Sequence, residues 1–154
     1  MLNIYKIFIW SAVPILEQRF SIPLGIFAYH INPFIVFITA FIGSLLPVPF
    51  ILFFFSYIFE WLGKTKILKW FYDFVDKKVQ KGKGKIDKYE KWGLIIFVAI
   101  PFPTTGLWTG SAIAAFLKMD KKQAFKYVFI GGLISATIIT AVCLLLPEIA
   151  NKIF

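Results

Sequence analysis

Two charged side chains near the start of the chain are the residues best suited to chemistry. Glu17 and Arg19 lie two residues apart in a largely apolar stretch, between Pro14 and Pro23. A carboxylate can bind a proton or a cation, and a guanidinium fits a phosphate or carboxylate with two parallel hydrogen bonds. Within a membrane such groups are costly unless they are paired or hydrated, which favours a functional site. The alternatives are an ion pair that only fixes a turn, and a shallow turn in interfacial water.

A second break in the apolar pattern, Pro101–Gly106, could complete a binding site for an anion. Ser21 is expected to cap a short helix after the first break, and Thr104 or Thr105 a helix after the second. Free N–H groups at a helix N-terminus carry partial positive charge and favour an anion. The guanidinium would add a full positive charge, and the carboxylate would bind a proton or a cation in exchange. Trp108 is expected to line the cavity between the two breaks; the alternative is an ordinary packing aromatic.

The composition determines which elements can hold these residues. Of the 154 residues, 59% are apolar, 19% are aromatic and only 16% are charged. This is too apolar for a soluble enzyme, a disordered tail or a disulfide scaffold. One cysteine and one histidine leave no Cys/His cluster for a metal, and no hydrolase, zinc or phosphate-loop motif is present. The remaining class is an all-α integral membrane protein.

The basic residues indicate how the chain is oriented. All but three of the 17 Lys and Arg residues lie between Lys64 and Lys126. Lysine excess marks the cytoplasmic face and contact with anionic headgroups, whereas this layout suits nucleic-acid binding poorly. We therefore expect no nucleic-acid partner, a plasma (inner) membrane location, a cytoplasmic linker over residues 60–92 and both termini outside. Helical spacing in that linker predicts an amphipathic helix in the headgroup layer; the alternative is a solvated helix packed on the protein.

Two segments reach the length of about 20 apolar residues that a membrane span requires. They are residues 33–59 and 123–146. Pro47 and Pro49 should kink the first span, and Pro147 should end the second. The second span also has a small-residue face, which predicts close packing within the chain or, as the alternative, a homodimer. This face consists of Gly131, Gly132, Ser135 and Ala136.

Two further apolar segments, residues 2–30 and 93–117, are interrupted by the two polar breaks described above. Each break leaves two pieces that are too short to cross a membrane alone. Such a pair of short pieces predicts a re-entrant helical hairpin. The alternative is a single kinked span that crosses the membrane.

The two halves of the chain share an order of features. A shift of 87 residues superposes identities in the broken segments, and a shift of 88 superposes Phe41–Leu45 on Phe129–Leu133. If each half has one hairpin that returns and one span that crosses, the halves form an inverted repeat. If the broken segments cross as well, the repeats are parallel. We predict a single membrane domain over residues 1–154, with repeats at 1–59 and 93–154 joined by the cytoplasmic amphipathic helix.

The residues of the two breaks also carry a family resemblance. Pro14–Gly25 and Ile100–Ser111 resemble the signature stretches of the small multidrug export protein family, which is distantly similar to the DedA/VTT membrane proteins. The resemblance extends over essentially the whole chain and implies a small transporter or lipid-moving protein. DedA-like relatives are associated with carrier-lipid phosphate transport and proton-dependent membrane homeostasis. Here Thr105 replaces an expected small residue, and the second hairpin lacks the DedA-type arginines. The resemblance assigns functional roles to Glu17, Arg19, Pro23, Pro101, Pro103, Thr104, Gly106, Trp108 and Thr109.

These observations predict one site between two facing hairpins. Its predicted substrate- and ion-binding residues are those named above for the resemblance, together with Ser21 and Thr105. The expected function is that of a small ion-coupled transporter or lipid flippase, not an enzyme, that binds an anionic group and needs no cofactor or metal. The alternatives are a drug or cation exporter, and a membrane-homeostasis scaffold that acts through its basic interfacial helix. The expected partners are anionic lipid headgroups, a small-molecule or lipid substrate, a proton or cation, and in one alternative a second copy of the chain.

Overall fold

The computed structural model describes residues 2–63, 86–102 and 105–153, and every regular element within these ranges is helical. The helices are α1 (Leu2–Ala12), α2 (Glu17–Pro23), α3 (Pro33–Leu45), α4 (Pro47–Gly63), α5 (Ile86–Ala99), α6 (Leu107–Phe116) and α7 (Lys121–Ile153). A π-helical turn, Leu24–Ala28, follows α2 directly. The lysine-rich part of the linker, and with it the predicted interfacial helix, lies outside the described residues.

Among the described residues, two stretches of 26 residues are long and apolar enough to cross a membrane, Pro33–Ile58 and Lys121–Leu146. The first is interrupted at Leu46, between α3 and α4, in agreement with the kink predicted there from two prolines. The second stretch ends at Leu146, immediately before Pro147, where its end was predicted, although the helix α7 itself continues to Ile153. Proline removes one backbone hydrogen bond from a helix, and here the helix continues beyond that loss.

The first broken segment folds as two antiparallel helices. The Oγ atoms of Ser11 in α1 and Ser21 in α2 lie 2.5 Å apart. Farther from the turn, a Cβ on Gly25 would lie 2.8 Å from Cδ1 of Ile7, so the π-helical turn packs directly on α1. The predicted break over residues 14–23 is too long, since only residues 13–16 separate the two helices.

The second broken segment also forms two helices that contact each other, α5 and α6. Gly110 of α6 lies against the side chain of Val98, and a Cβ there would come within 3.6 Å of Leu94. The residues between the helices, 100–106, coincide with the predicted break. α5 itself begins at Ile86, ahead of the predicted hairpin start at residue 93.

Each pair of helices packs on its own span through a glycine. A Cβ on Gly43 of α3 would lie 2.5 Å from the carbonyl oxygen of Phe8 in α1. A Cβ on Gly131 of α7 would lie 2.8 Å from the carbonyl oxygen of Ile95 in α5. The two glycines are 88 residues apart and the two carbonyls 87 apart, which are the offsets that relate the two halves in sequence.

The two long helical stretches run antiparallel to each other. The Nζ of Lys121, at the start of α7, lies 4.3 Å from the ring centroid of Phe53 in α4. At the opposite end, Pro33 of α3 lines the same cavity as Leu144 of α7. Four buried apolar positions of α3 and α4 match four buried positions of α7 at the offset of 88. The pairs are Val36 and Ala124, Ala40 and Val128, Val48 and Ala136, and Ile51 and Ile139.

In the part of the chain that the structure describes, two buried apolar clusters hold the helices together, and α7 contributes to both. One joins α1, α2 and α3 to the C-terminal part of α7, and the other joins α4, α5 and α6 to its N-terminal part. Leu107, the first residue of α6, belongs to the second cluster.

Candidate functional site

The carboxylate of Glu17 binds the N-terminus of a helix that lies far away in the sequence. The backbone N–H of Leu107 donates to Oε2 at 3.2 Å, and that of Trp108 donates to Oε1 at 2.9 Å. Glu17 is only 3% exposed. A buried carboxylate is stabilised here by the two N–H groups and by the partial positive charge at the start of α6. The first residue of α2 and the first turn of α6 therefore meet at one side chain.

The turn that carries Glu17 has an unusual backbone. Ile15 and Glu17 have φ angles of 76° and 44°, in the left-handed region that non-glycine residues seldom adopt. This conformation costs free energy and is retained only where the surrounding contacts compensate for it. Here it turns the chain within residues 13–16 and directs the carboxylate toward α6.

Arg19 lies beside this carboxylate but is not fully paired. Its Nη2 is 3.4 Å from Oε2 of Glu17, longer than the 2.7–2.9 Å that is usual for a tight charge-assisted bond. Its Nη1 is buried and has no hydrogen-bond partner among the described residues. A buried donor without a partner is costly, so the guanidinium retains capacity for an additional acceptor.

Gly106 allows the two turns to approach this closely. A Cβ at this position would collide with Oε2 of Glu17 and would lie 2.5 Å from Nη2 of Arg19. No side chain larger than hydrogen fits between the ion pair and the start of α6. The requirement for glycine is therefore one of space.

A cavity of about 420 Å³ opens beside the ion pair, within the size range of small-molecule sites. The indole Nε1–H of Trp108 donates to the carbonyl oxygen of Ala12 at 3.2 Å, which fixes the ring in the cavity wall. Glu17 and Arg19 supply the charges among the described residues that line it. The lining residues are Pro14, Ile15, Glu17, Arg19, Phe55, Thr105, Trp108, Thr109 and Ala112.

Ser21 and Pro23 do not lie in this cavity. The prediction that Ser21 caps a helix is wrong, because it lies inside α2, where its Oγ donates to the carbonyl oxygen of Glu17 at 3.0 Å. Pro23 is the last residue of α2 rather than part of a first turn. α2 starts earlier than predicted, so both residues come at least one helical turn after Glu17 and neither lines the cavity.

In the second turn, Thr105, Gly106, Trp108 and Thr109 lie at the site, but Thr105 does not cap α6. Thr105 Oγ1 donates to the carbonyl oxygen of Ile100 at 2.7 Å, within its own turn. Glu17 takes the capping role instead. Pro103 and Thr104 lie outside the described residues, and Pro101 is exposed and does not line the cavity.

Gln18 is a site residue that the sequence analysis missed. It is 1% exposed; its Nε2 donates to the carbonyl oxygen of Gly132 at 2.8 Å, and its Oε1 accepts from Ser44 Oγ at 3.3 Å. Ser44 and Gly132 are 88 residues apart, so the amide joins equivalent points of the two spans. Two features of the sequence could have revealed this residue. One is the pair of matching stretches around Ser44 and Gly132, and the other is the position of Gln18 between Glu17 and Arg19.

The small-residue face of α7 packs within the chain, as predicted. Gly131 lies against α5 and Gly132 against Leu107 of α6, to whose side chain a Cβ would come within 3.1 Å. The second glycine also offers its carbonyl to Gln18. The face is therefore occupied by the second helix pair and by the first turn.

Comparison with known protein families identifies a match. A family model described as "Putative small multi-drug export protein" matches residues 17–138. No curated protein and no solved structure gives a match. The matched region begins at Glu17, directly after the first turn, and contains the second turn of the site as well as Gln18, Ser44 and Gly132. With a match over most of its length and two helices able to span a membrane, the chain belongs to the small multidrug export protein family.

Proposed function

We propose that this protein is a small ion-coupled transporter or lipid flippase that binds an anionic group between two re-entrant hairpins and uses Glu17 to handle a proton. The observation that carries the proposal is the Glu17 carboxylate on the start of α6, beside an arginine with one buried, unpartnered nitrogen. Both groups line a cavity that could admit a small ligand. The family description supports transport as the general activity.

The proposal includes an inverted repeat, with one hairpin dipping into the membrane from each face. Three observations support it: the equivalent glycine contacts of the two halves, their matched buried positions, and the antiparallel course of the two spans. Gln18 joins Ser44 of the first span to Gly132 at the equivalent position of the second span. A two-fold axis between the halves would bring the two spans together at equivalent positions in this way. The lysine excess of the linker supports a cytoplasmic linker and external termini.

The proposed coupling follows from the charges at the site. With Glu17 ionised, its carboxylate balances Arg19 and occupies the N–H groups of α6, so an arriving anion meets a negative charge. With Glu17 protonated, the site retains the arginine charge and the positive end of the helix, both of which attract an anion. Anion and proton should therefore bind together, each increasing the affinity for the other. The sequence analysis expected the N–H groups at the start of this helix to be free for substrate. In the present proposal Glu17 occupies them whenever it is ionised.

Export of cationic drugs is the second candidate, because aromatic rings of Phe55 and Trp108 line the cavity and can interact with a cation. It predicts that overexpression raises resistance to unrelated cationic compounds and that the increase depends on Glu17. In the anion model Arg19 is also required. Unchanged resistance would argue against drug export and leave the anion model in place.

Proton-coupled anion uptake into liposomes tests the proposal. The purified protein is reconstituted with a pH-sensitive dye inside the vesicles, and a gradient of a short alkyl phosphate is applied. We expect anion-dependent acidification with the wild type, anion movement without acidification for Glu17→Gln, and neither for Arg19→Gln. Neutralising linker lysines such as Lys77 and Lys78 should leave uptake unchanged.

Wild-type rates in both site variants would overturn the proposal, and so would loss of function only in the linker variant, which a scaffold predicts. Monodispersity and far-UV circular dichroism show whether each variant is folded. A vesicle series at decreasing pH adds a second criterion, since the affinity for the alkyl phosphate should rise as Glu17 becomes protonated.

A further inference from the structure

A second cavity, of about 870 Å³, lies on the outer side of α4 and is almost wholly apolar. Its aromatic walls are turned outward: Phe50 is 70% exposed and Tyr57 71%. An exposed apolar surface of this kind, on a helix able to span a membrane, faces lipid chains. The lining residues are Pro49, Phe50, Ile51, Phe53, Phe54, Phe55, Tyr57 and Trp108; we call this surface the α4 groove.

The α4 groove is continuous with the site cavity, because Phe55 and Trp108 line both. The indole N–H of Trp108 is already bonded to the carbonyl of Ala12, so the ring offers the groove only its apolar surface. A molecule that spans the shared wall would have one end beside the guanidinium of Arg19 and the other against aromatic side chains.

We propose that the ligand of this site is an anionic amphiphile whose headgroup binds Arg19 and whose single apolar chain lies in the α4 groove. This rests on the proposed function and specifies its substrate class. The unpartnered Nη1 of Arg19 requires an acceptor, which a cationic drug would not supply. A free inorganic anion would supply the acceptor but would leave the groove without a ligand. An amphiphile of this charge fits both surfaces.

The two ends of such a ligand would contribute differently. Lipid tails are as apolar as the groove, so moving a chain from the bilayer into the groove changes its free energy little. The headgroup bond to a partly buried guanidinium would supply the affinity, and the groove would supply a path from the bilayer and a preference for one chain. From Pro49 to Tyr57 the helix rises about 12 Å, at 1.5 Å per residue, which sets the length of chain that the groove can hold.

Photolabelling in nanodiscs tests this inference. The protein is placed in neutral phosphatidylcholine nanodiscs with an alkyl phosphate that carries a diazirine in its chain, and labelled peptides are located by mass spectrometry. We expect labelling to concentrate on residues 49–57 and Trp108. An unlabelled alkyl phosphate should compete, whereas an alkyl alcohol of the same chain length should not. Arg19→Gln should weaken that competition by about tenfold or more, as expected for the loss of a charged hydrogen bond, and Arg19→Lys should retain part of it.

A matched pair of variants separates the groove from the rest of the lipid-facing surface. Phe54→Gln places a polar group in the groove and should reduce labelling of residues 49–57 several-fold. Phe27→Gln makes the same change at an exposed phenylalanine that does not line the groove, and should leave labelling unchanged. Equal labelling of all lipid-facing helices, or an equal effect of the two variants, would overturn the inference.

Inorganic phosphate distinguishes failure of this inference from failure of the proposed function. If inorganic phosphate binds in an Arg19-dependent way and the alkyl chain adds nothing, the anion site stands and the amphiphile assignment falls. If neither phosphate species binds, or if binding is the same in Arg19→Gln, the proposed function falls as well.

Discussion

At the scale of single residues, the site depends on how closely Gly106 lets the ion pair approach α6. Gly106→Ala would drive Oε2 of Glu17 off the helix start, because its Cβ would occupy that place. We expect a loss of about 1–3 kcal/mol in the free energy of unfolding, typical of overpacking, together with loss of anion binding.

Gly93→Ala is the matched control, since nothing lies within 4 Å of a Cβ there. Gly93 is inside α5, where alanine should instead stabilise the helix by up to about 1 kcal/mol. Denaturant unfolding of both variants in detergent measures the difference. Equal effects of the two variants would mean that the space around Gly106 is not needed.

The charge of Glu17 is a second prediction at this scale. Glu17→Gln keeps the shape of the side chain but replaces one of its acceptor oxygens with a donor, which cannot accept from an N–H group of α6. We expect a loss of about 1.5–3 kcal/mol in unfolding free energy, the value of a buried hydrogen bond to a charged group. Asp120→Asn is the control, because Asp120 accepts from the N–H of Gln123 at the exposed start of α7. Asparagine caps such a position about as well as aspartate, so its unfolding free energy should hardly change.

At the scale of the elements, the side chain of Gln18 joins the start of α2 to both spans by hydrogen bonds. A double-mutant cycle with Gln18→Leu and Ser44→Ala measures the part of this contact that involves α3. We expect each single change to cost about 1–2 kcal/mol, with a coupling free energy of at least about 0.5 kcal/mol. Additive effects would show that Ser44 and Gln18 do not stabilise each other. Gln18→Glu provides a second measurement. The new carboxyl group can donate to the carbonyl of Gly132 only when it is protonated, so we expect the variant to be stable only at low pH.

The elements also show which features of this fold a sequence reveals. The kink at Pro47, the position of the second turn and the packing face of α7 followed from residue types, because proline and glycine act locally. The start of α2 did not, because it depends on left-handed backbone at Ile15 and Glu17, which their side chains disfavour. The cap of α6 could not be found locally either, since Glu17 is 90 residues away from Leu107 and does what a neighbouring threonine was expected to do.

At the scale of the whole molecule, the proposed inverted repeat fixes which parts of the chain share a side of the membrane. One crossing per half places both termini opposite the linker, whereas two crossings per half would place all three on the same side. In a background with Cys143 replaced by alanine, single cysteines at Asn3, Gly84 and Asn151 can be labelled with a membrane-impermeant reagent. We expect Asn3→Cys and Asn151→Cys to react from outside and Gly84→Cys only from inside. Reaction of all three from one side would establish the parallel arrangement.

The same background tests whether the site cavity holds water. Ile15→Cys and Thr109→Cys, from the two turns that line it, should react with a small charged thiol reagent. Ile138→Cys is at an exposed position of α7 that does not line the cavity, and it should not react. Unreactive cysteines at both cavity positions would remove the aqueous pocket on which the proposed binding depends.

The bond from Glu17 to Leu107 has a consequence for biosynthesis. The ribosome makes the carboxylate long before the helix start that receives it, so the first hairpin enters the bilayer with Arg19 as the partner of this acid but without the two N–H groups of α6. The serine contact between α1 and α2 and the ion pair can form at once, whereas the backbone donors arrive only with the second half. Assembly of the site therefore has to wait for the second half, and a chain cut short before residue 107 would keep the ion pair but lack the helix start that stabilises the carboxylate.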